Sequence, residues 1–173
     1  MSKLNGLVCM VTGGSSGLGL GTVENFVRQG ARVVVCDLAN SKGNEVAARL
    51  NQQKPNSVLF SPTDVQSEAD ISKAIKLARD SFGSLNVLVN CAGIGVAFRT
   101  YNFNKKRAHS LEDFQKVINV NLVGTFNAIR LAAAAFAENQ PSIFVFSYIF
   151  SICFLMFKKI RMVNVVLLLI QHP

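Results

Sequence analysis

At 173 residues, half of them hydrophobic, the chain can build one domain with a proper core but not two comfortable ones, and it is no disordered segment. The formal net charge is +8; the ten acids all lie between Glu24 and Glu138, and Lys158, Lys159 and Arg161 follow without a counter-charge. Such a balance suits a generally alkaline protein, and a basic surface also attracts nucleic acid, anionic lipid or an acidic cofactor. Cys9, Cys36, Cys91 and Cys153 form no Cys-x-x-Cys pair and sit among apolar neighbours, as buried reduced thiols of an intracellular protein do. His109 and His172 lack a partner at metal-ligand spacing, so no metal site is expected. Residues 1–5 run almost directly into the first apolar segment, so no secretory signal is expected.

Residues 7–12 (LVCMVT) are an apolar run stopped by glycine, the pattern of a buried parallel strand. Leu18, Val23, Phe26 and Val27 then recur at helical spacing, and Gly30 is placed to end that helix. Residues 32–38 (RVVVCDL) predict a second buried strand, 41–53 a polar-faced helix and 57–65 a third strand. Ser67 is placed to cap the next helix, with Asp70 at the capping-box position. Residues 86–91 (NVLVNC) give a fourth strand, 93–110 a loop, and 111–138 a long helix. Strands alternating with helices predict an α/β fold with a doubly wound, Rossmann-like parallel sheet and right-handed crossovers.

The pattern breaks near residue 140, which divides a Rossmann-like domain at 1–140 from a hydrophobic tail at 141–173. All twelve glycines lie at or before Gly124. Residues 143–157 (IFVFSYIFSICFLMF) are almost wholly apolar, and a basic stretch separates them from residues 165–170 (VVLLLI). As a helix, fifteen residues rise about 22 Å, short of the roughly 30 Å hydrocarbon core, so membrane attachment is marginal. A substitute fifth strand from residues 143–146, with a helix covering the sheet edge, is a second reading. The reading preferred on composition is translated noncoding sequence after truncated splicing, with some local folding; it implies a sheet left incomplete on its C-terminal side.

The chemistry concentrates at Thr12-Gly13-Gly14-Ser15-Ser16-Gly17-Leu18-Gly19. A pyrophosphate at a helix start needs backbone N–H groups aimed at it and no Cβ in the way, and Gly13, Gly17 and Gly19 supply that approach. Asp37 ends the second strand, twenty residues after Gly17, where a carboxylate accepts hydrogen bonds from ribose hydroxyls and repels a 2′-phosphate. NAD is therefore expected over NADP. Asp64 is placed at the carboxyl end of the third strand, on the edge where open sheets bind ligands.

Together with Asp64-Val65, Asn90-Cys91-Ala92-Gly93 and Asn119-Val120-Asn121-Leu122, this turn resembles the short-chain dehydrogenase/reductase family over about residues 6–139. The stretch from Tyr101-Asn102 through Lys105-Lys106 to Gln115 is similar to members acting on 3-hydroxyacyl-CoA and hydroxysteroids. The resemblance implies cofactor contacts from Ser16 and Leu18, Asp37 at the ribose, and Asp64 and Val65 near the adenine. It also implies Cys91, with Ala92 and Gly93, near the nicotinamide ribose through backbone, and Asn121 as the catalytic asparagine that helps hold a water in the proton relay. It implies further a mitochondrial homotetramer with a part in tRNA processing, for which Lys105-Lys106-Arg107 is the basic cluster at hand, although a solvated loop explains that cluster as well.

The family's hydride transfer also needs a serine that orients the substrate oxygen, a tyrosine acid/base and a lysine four residues later. An unassisted tyrosine, with a pKa of about 10, is a poor base at neutral pH. The only tyrosines here are Tyr101 and Tyr148. Ile152 stands four residues after Tyr148, and Lys158 is the next lysine. Tyr101 and Lys105 have the spacing but precede Asn121 and read as coincidence. Ser147 mimics the serine only loosely. The expectation is a nucleotide site without turnover.

Overall fold

Strand β1 (Val8–Thr12) is buried along its whole length because both its neighbours are parallel strands and helices cover both faces. A computed structural model describes residues 4–96, 99–139, 148–151 and 166–169 of the chain. β2 (Arg32–Asp37) lies on one side of β1, and β4 (Val87–Asn90) on the other. β3 (Val58–Pro62) pairs in parallel with β2. Helices α1 (Gly17–Arg28), α2 (Gly43–Gln53) and α3 (Glu68–Phe82) alternate with these strands as expected.

The period of two along the strands sorts their side chains into two cores. Cys9, Val11, Val33, Val35, Val87 and Val89 meet Val23 and Val27 of α1 and Val46 and Leu50 of α2. Val8, Met10, Val34, Cys36 and Leu88 meet Ile71, Ala74 and Ala78 of α3. Ala128, Ala132 and Phe136 close that second core from α5 (Thr125–Ala137). Burying each such valine or leucine stabilises the fold by about 1.5–3 kcal/mol.

Ser67 caps α3 by accepting the Asp70 N–H at 3.2 Å. The Asp70 carboxylate accepts the Asp64 N–H at 3.1 Å, tying the β3–α3 turn to the helix. The expected loop at 93–110 contains a small hairpin, β5 (Tyr101–Asn102) with β6 (Arg107–Ala108). The expected long helix is three pieces: α4 (Leu111–Ile118), a π-helical turn (Asn119–Gly124) and α5. Leu111, Phe114, Leu122, Val123 and Phe126 stay exposed along it. Leu111–Ala137 is long and apolar enough to cross a membrane by length and composition. The packing of Ala128, Ala132, Ala135 and Phe136 against the sheet makes α5 a core helix.

Two strands from beyond residue 140 extend the sheet. β8 (Val166–Leu169) pairs antiparallel with β4, and β7 (Tyr148–Ser151) antiparallel with β8, giving the order β3-β2-β1-β4-β8-β7. The strand expected at 143–146, and Ser147, lie outside the described residues. The parallel part is thus four strands in the order 3-2-1-4. That order reverses between β1 and β4, so the carboxyl ends of these two strands flank the crevice where open α/β sheets bind ligands.

Candidate functional site

The turn from β1 into α1 opens onto that crevice. Gly13 has φ +64°, and a Cβ there would stand 2.7 Å from the Ala92 nitrogen and 2.8 Å from the Cys91 carbonyl carbon. Only glycine lets the turn lie this close to the chain leaving β4. A Cβ on Gly19 would meet the Gly13 carbonyl oxygen at 2.1 Å, which fixes how α1 starts against its own turn. Gly17 has φ +53° and open space before it, and Ser16, Gly17 and Leu18 are exposed.

The start of α1 differs from those of α3 and α4. Ser67 and Ser110 each accept a backbone N–H of their helix, whereas Ser16 makes no capping hydrogen bond and the first turn of α1 holds no acid. The leading N–H groups of α1 are left without a side-chain cap, and the helix dipole adds positive potential there. Exposed glycine backbone, room before it and an uncapped helix start together fit a pyrophosphate.

Asp37 stands on the far side of the glycine turn, at the end of β2. Its Oδ2 accepts the Ser15 N–H at 3.0 Å and the Ser15 hydroxyl, while Oδ1 accepts the Leu38 N–H at 2.8 Å. Ser15 is buried, Asp37 half-buried. The carboxylate is thereby held at the end of β2, against the glycine turn. Ser15 was not among the residues singled out from sequence, and only its adjacency to Ser16 in the turn pointed to it.

At the end of β4, Cys91 donates its N–H to the Thr12 carbonyl at 3.0 Å, and Ala92 donates to the Thr12 hydroxyl at 3.3 Å. The Thr12 hydroxyl donates to Asn90 Oδ1 at 3.4 Å; Asn90 is buried, and its Nδ2 finds no partner among the described residues. Burial pushes the Cys91 thiol up from its ordinary value, so this residue offers a ligand its backbone rather than a thiolate. Asn121, in the π-helical turn, accepts the Ile94 N–H and donates to the Ile94 carbonyl, both at 2.9 Å. Its amide thus clamps the loop after Gly93, which itself lies against it: a Cβ on Gly93 would sit 3.3 Å from Asn121 Oδ1. π-turns often mark functional positions, because they free backbone groups from the regular ladder.

Asp64 and Val65 follow β3. Asp64 Oδ1 accepts the Gln66 N–H at 2.9 Å, which spends part of this carboxylate on its own turn. Val65 is buried against Gly124, where a Cβ would meet its Cγ2 at 2.5 Å, and its carbonyl accepts the Asn127 amide at 3.0 Å. The structure therefore brings Gly13 to Cys91 and Ala92, Asp37 to Ser15, and Gly93 to Asn121, while Val65 is tied to the π-turn side of the fold.

The sequence that builds this site matches known proteins. The sequence profile of the short chain dehydrogenases matches residues 7–147. The chain belongs to the short-chain dehydrogenase family. It is 54% identical over 139 residues to the 3-hydroxyacyl-CoA dehydrogenase type-2 of Bos taurus, covering 80% of this chain and 52% of that protein. The protein of the same name from Drosophila melanogaster is 54% identical over 135 residues, covering 78% and 51%. That from Homo sapiens is 51% identical over 139 residues, covering 80% and 52%. The chain spans about half the length of these relatives.

Proposed function

We propose that this chain is an NAD-binding unit of the 3-hydroxyacyl-CoA and hydroxysteroid dehydrogenase type that does not itself turn over substrate. The observation that carries the reading is the switch point between the carboxyl ends of β1 and β4. An uncapped, glycine-lined helix start faces it on one side, and the half-buried Asp37 carboxylate stands at the end of β2. Gly13, Ser16, Gly17, Leu18 and Gly19 hold the pyrophosphate, Asp37 holds the adenosine ribose, and Asp64 and Val65 flank the adenine. Cys91, Ala92 and Gly93 line the nicotinamide side through backbone. When bound, NAD supplies a hydride acceptor; the residues of this chain bind and orient it.

The non-catalytic reading is supported by the sequence that follows Asn121. The family's proton relay needs a tyrosine brought into the base range by a lysine four residues on, and no such pair follows Asn121 in these 173 residues. In this reading Asn121 serves as a clamp on the Ile94 loop. The exposed stripe of Leu111, Phe114, Leu122, Val123 and Phe126 supports self-association. NAD at a hundred times its dissociation constant stabilises the fold by about 2.7 kcal/mol, so thermal melting of the chain rises with NAD. NAD plus a 3-hydroxyacyl-CoA should give no absorbance at the NADH band; steady NADH production sinks the non-catalytic reading.

A further inference from the structure

Three hydrogen bonds to Asp37 leave its carboxylate with an unequal pair of oxygens. Oδ2 is saturated from the glycine turn by two donors of one residue, the amide and the hydroxyl of buried Ser15. Among the described residues Oδ1 receives only the Leu38 N–H, from a residue 53% exposed beside it. A carboxylate offers about four lone-pair positions, so three donors leave one, and it lies on Oδ1. The torsion of the carboxylate is set by the two Ser15 donors on one oxygen and the Leu38 N–H on the other, and the remaining acceptor is set with it.

We propose that Ser15 is a positioning residue for nucleotide recognition: its hydroxyl and amide together lock the Asp37 carboxylate so that Oδ1 faces the adenosine ribose. The inference rests on the NAD-binding reading given above and deepens it by naming what makes the ribose acceptor rigid. Asp37 is only half-buried, and a free aspartate side chain there would sample several rotamers, each ordered at a cost when a ribose arrives. Ser15 has that ordering done before binding. Its own side chain is 7% exposed, so the hydroxyl acts through Asp37 rather than by touching the nucleotide.

The test is equilibrium binding of two probes to the full chain: NAD, and NAD whose adenosine lacks the 2′-hydroxyl. Ser15→Ala keeps the backbone amide bond to Asp37 and removes the hydroxyl. It should weaken NAD binding roughly threefold to tenfold, the cost of ordering one more side chain when the ribose arrives. It should leave binding of the 2′-deoxy probe within about twofold. In an Asp37→Asn background the same change should cost little more, because the charged acceptor is already gone. An unchanged NAD affinity in Ser15→Ala overturns the proposal, as does an equal loss for both probes, which assigns Ser15 to the turn alone. Full additivity of Ser15→Ala and Asp37→Asn overturns it too. Failure of the unsubstituted chain to bind NAD overturns the site reading itself, and that result is distinct from the other three.

Discussion

Gly13, Gly17 and Gly21 lie within nine residues of one another, yet alanine should act differently at each. At Gly13 two costs add. A φ of +64° costs an L-residue about 1–2 kcal/mol. A Cβ 2.7–2.8 Å from backbone atoms of Cys91 and Ala92 forces the β1 turn and the β4 exit apart, for about 1–3 kcal/mol more. The sum, roughly 2–5 kcal/mol, is a large part of a typical 5–15 kcal/mol stability. Gly17 carries only the first cost, since its φ is +53° and nothing lies within 4 Å. Gly21 is helical, exposed and unobstructed, so alanine there stabilises by about 0.5–1 kcal/mol. Urea unfolding followed by circular dichroism reads all three, and at about 2 kcal/mol per molar Gly13→Ala lowers the midpoint by about 1–2.5 M. A Gly13→Ala midpoint equal to that of the unsubstituted chain, or a larger loss at Gly17, refutes the close approach on which the crevice depends.

Burial pushes the Cys9 and Cys36 thiols up from 9.0 to about 12; at Cys36 a hydrogen bond with Thr63 opposes the rise and the Asp37 charge adds to it. The stability gained by keeping them neutral is full below pH 9 and lost as pH rises towards 12; Cys36→Ala should flatten that loss in urea midpoints measured from pH 8 to 11. Both thiols should resist iodoacetamide at pH 7.5 in the folded chain and react after denaturation, as mass spectrometry will show. Asn121→Ala removes two hydrogen bonds to Ile94, so it should cost about 1–2 kcal/mol and speed hydrogen exchange in residues 92–96. Phe126→Asp alters an exposed side chain, so stability should move by no more than about 0.5 kcal/mol while sedimentation shifts towards the monomer.

The parallel half of the fold was legible because its cause is local and periodic. Residues 7–12 and 32–38 are apolar runs that only a doubly covered strand can bury, and the glycines between β1 and α1 mark the turn without further context. Ends were less legible: β3 stops at Pro62 rather than 65 because Asp64 and Asp70 pull the chain into the α3 cap. The β5–β6 hairpin was read as loop, since two-residue strands leave no periodic trace. The π-turn was hidden inside a helical pattern, because its register change follows from packing against Val65 and the Ile94 loop. For the site, Asp37 was visible as an acid after a strand, but the Ser15 contact that orients it was not. It joins residues 22 apart in sequence, and only the folded sheet brings them together.

Isothermal titration of the full chain with NAD and then with NADP tests the central claim most directly. The account predicts saturable one-to-one binding of NAD and at least tenfold weaker binding of NADP, whose 2′-phosphate meets the Asp37 carboxylate; Asp37→Asn should narrow that gap. No heat of binding with NAD, or equal affinity for the two nucleotides, would contradict it.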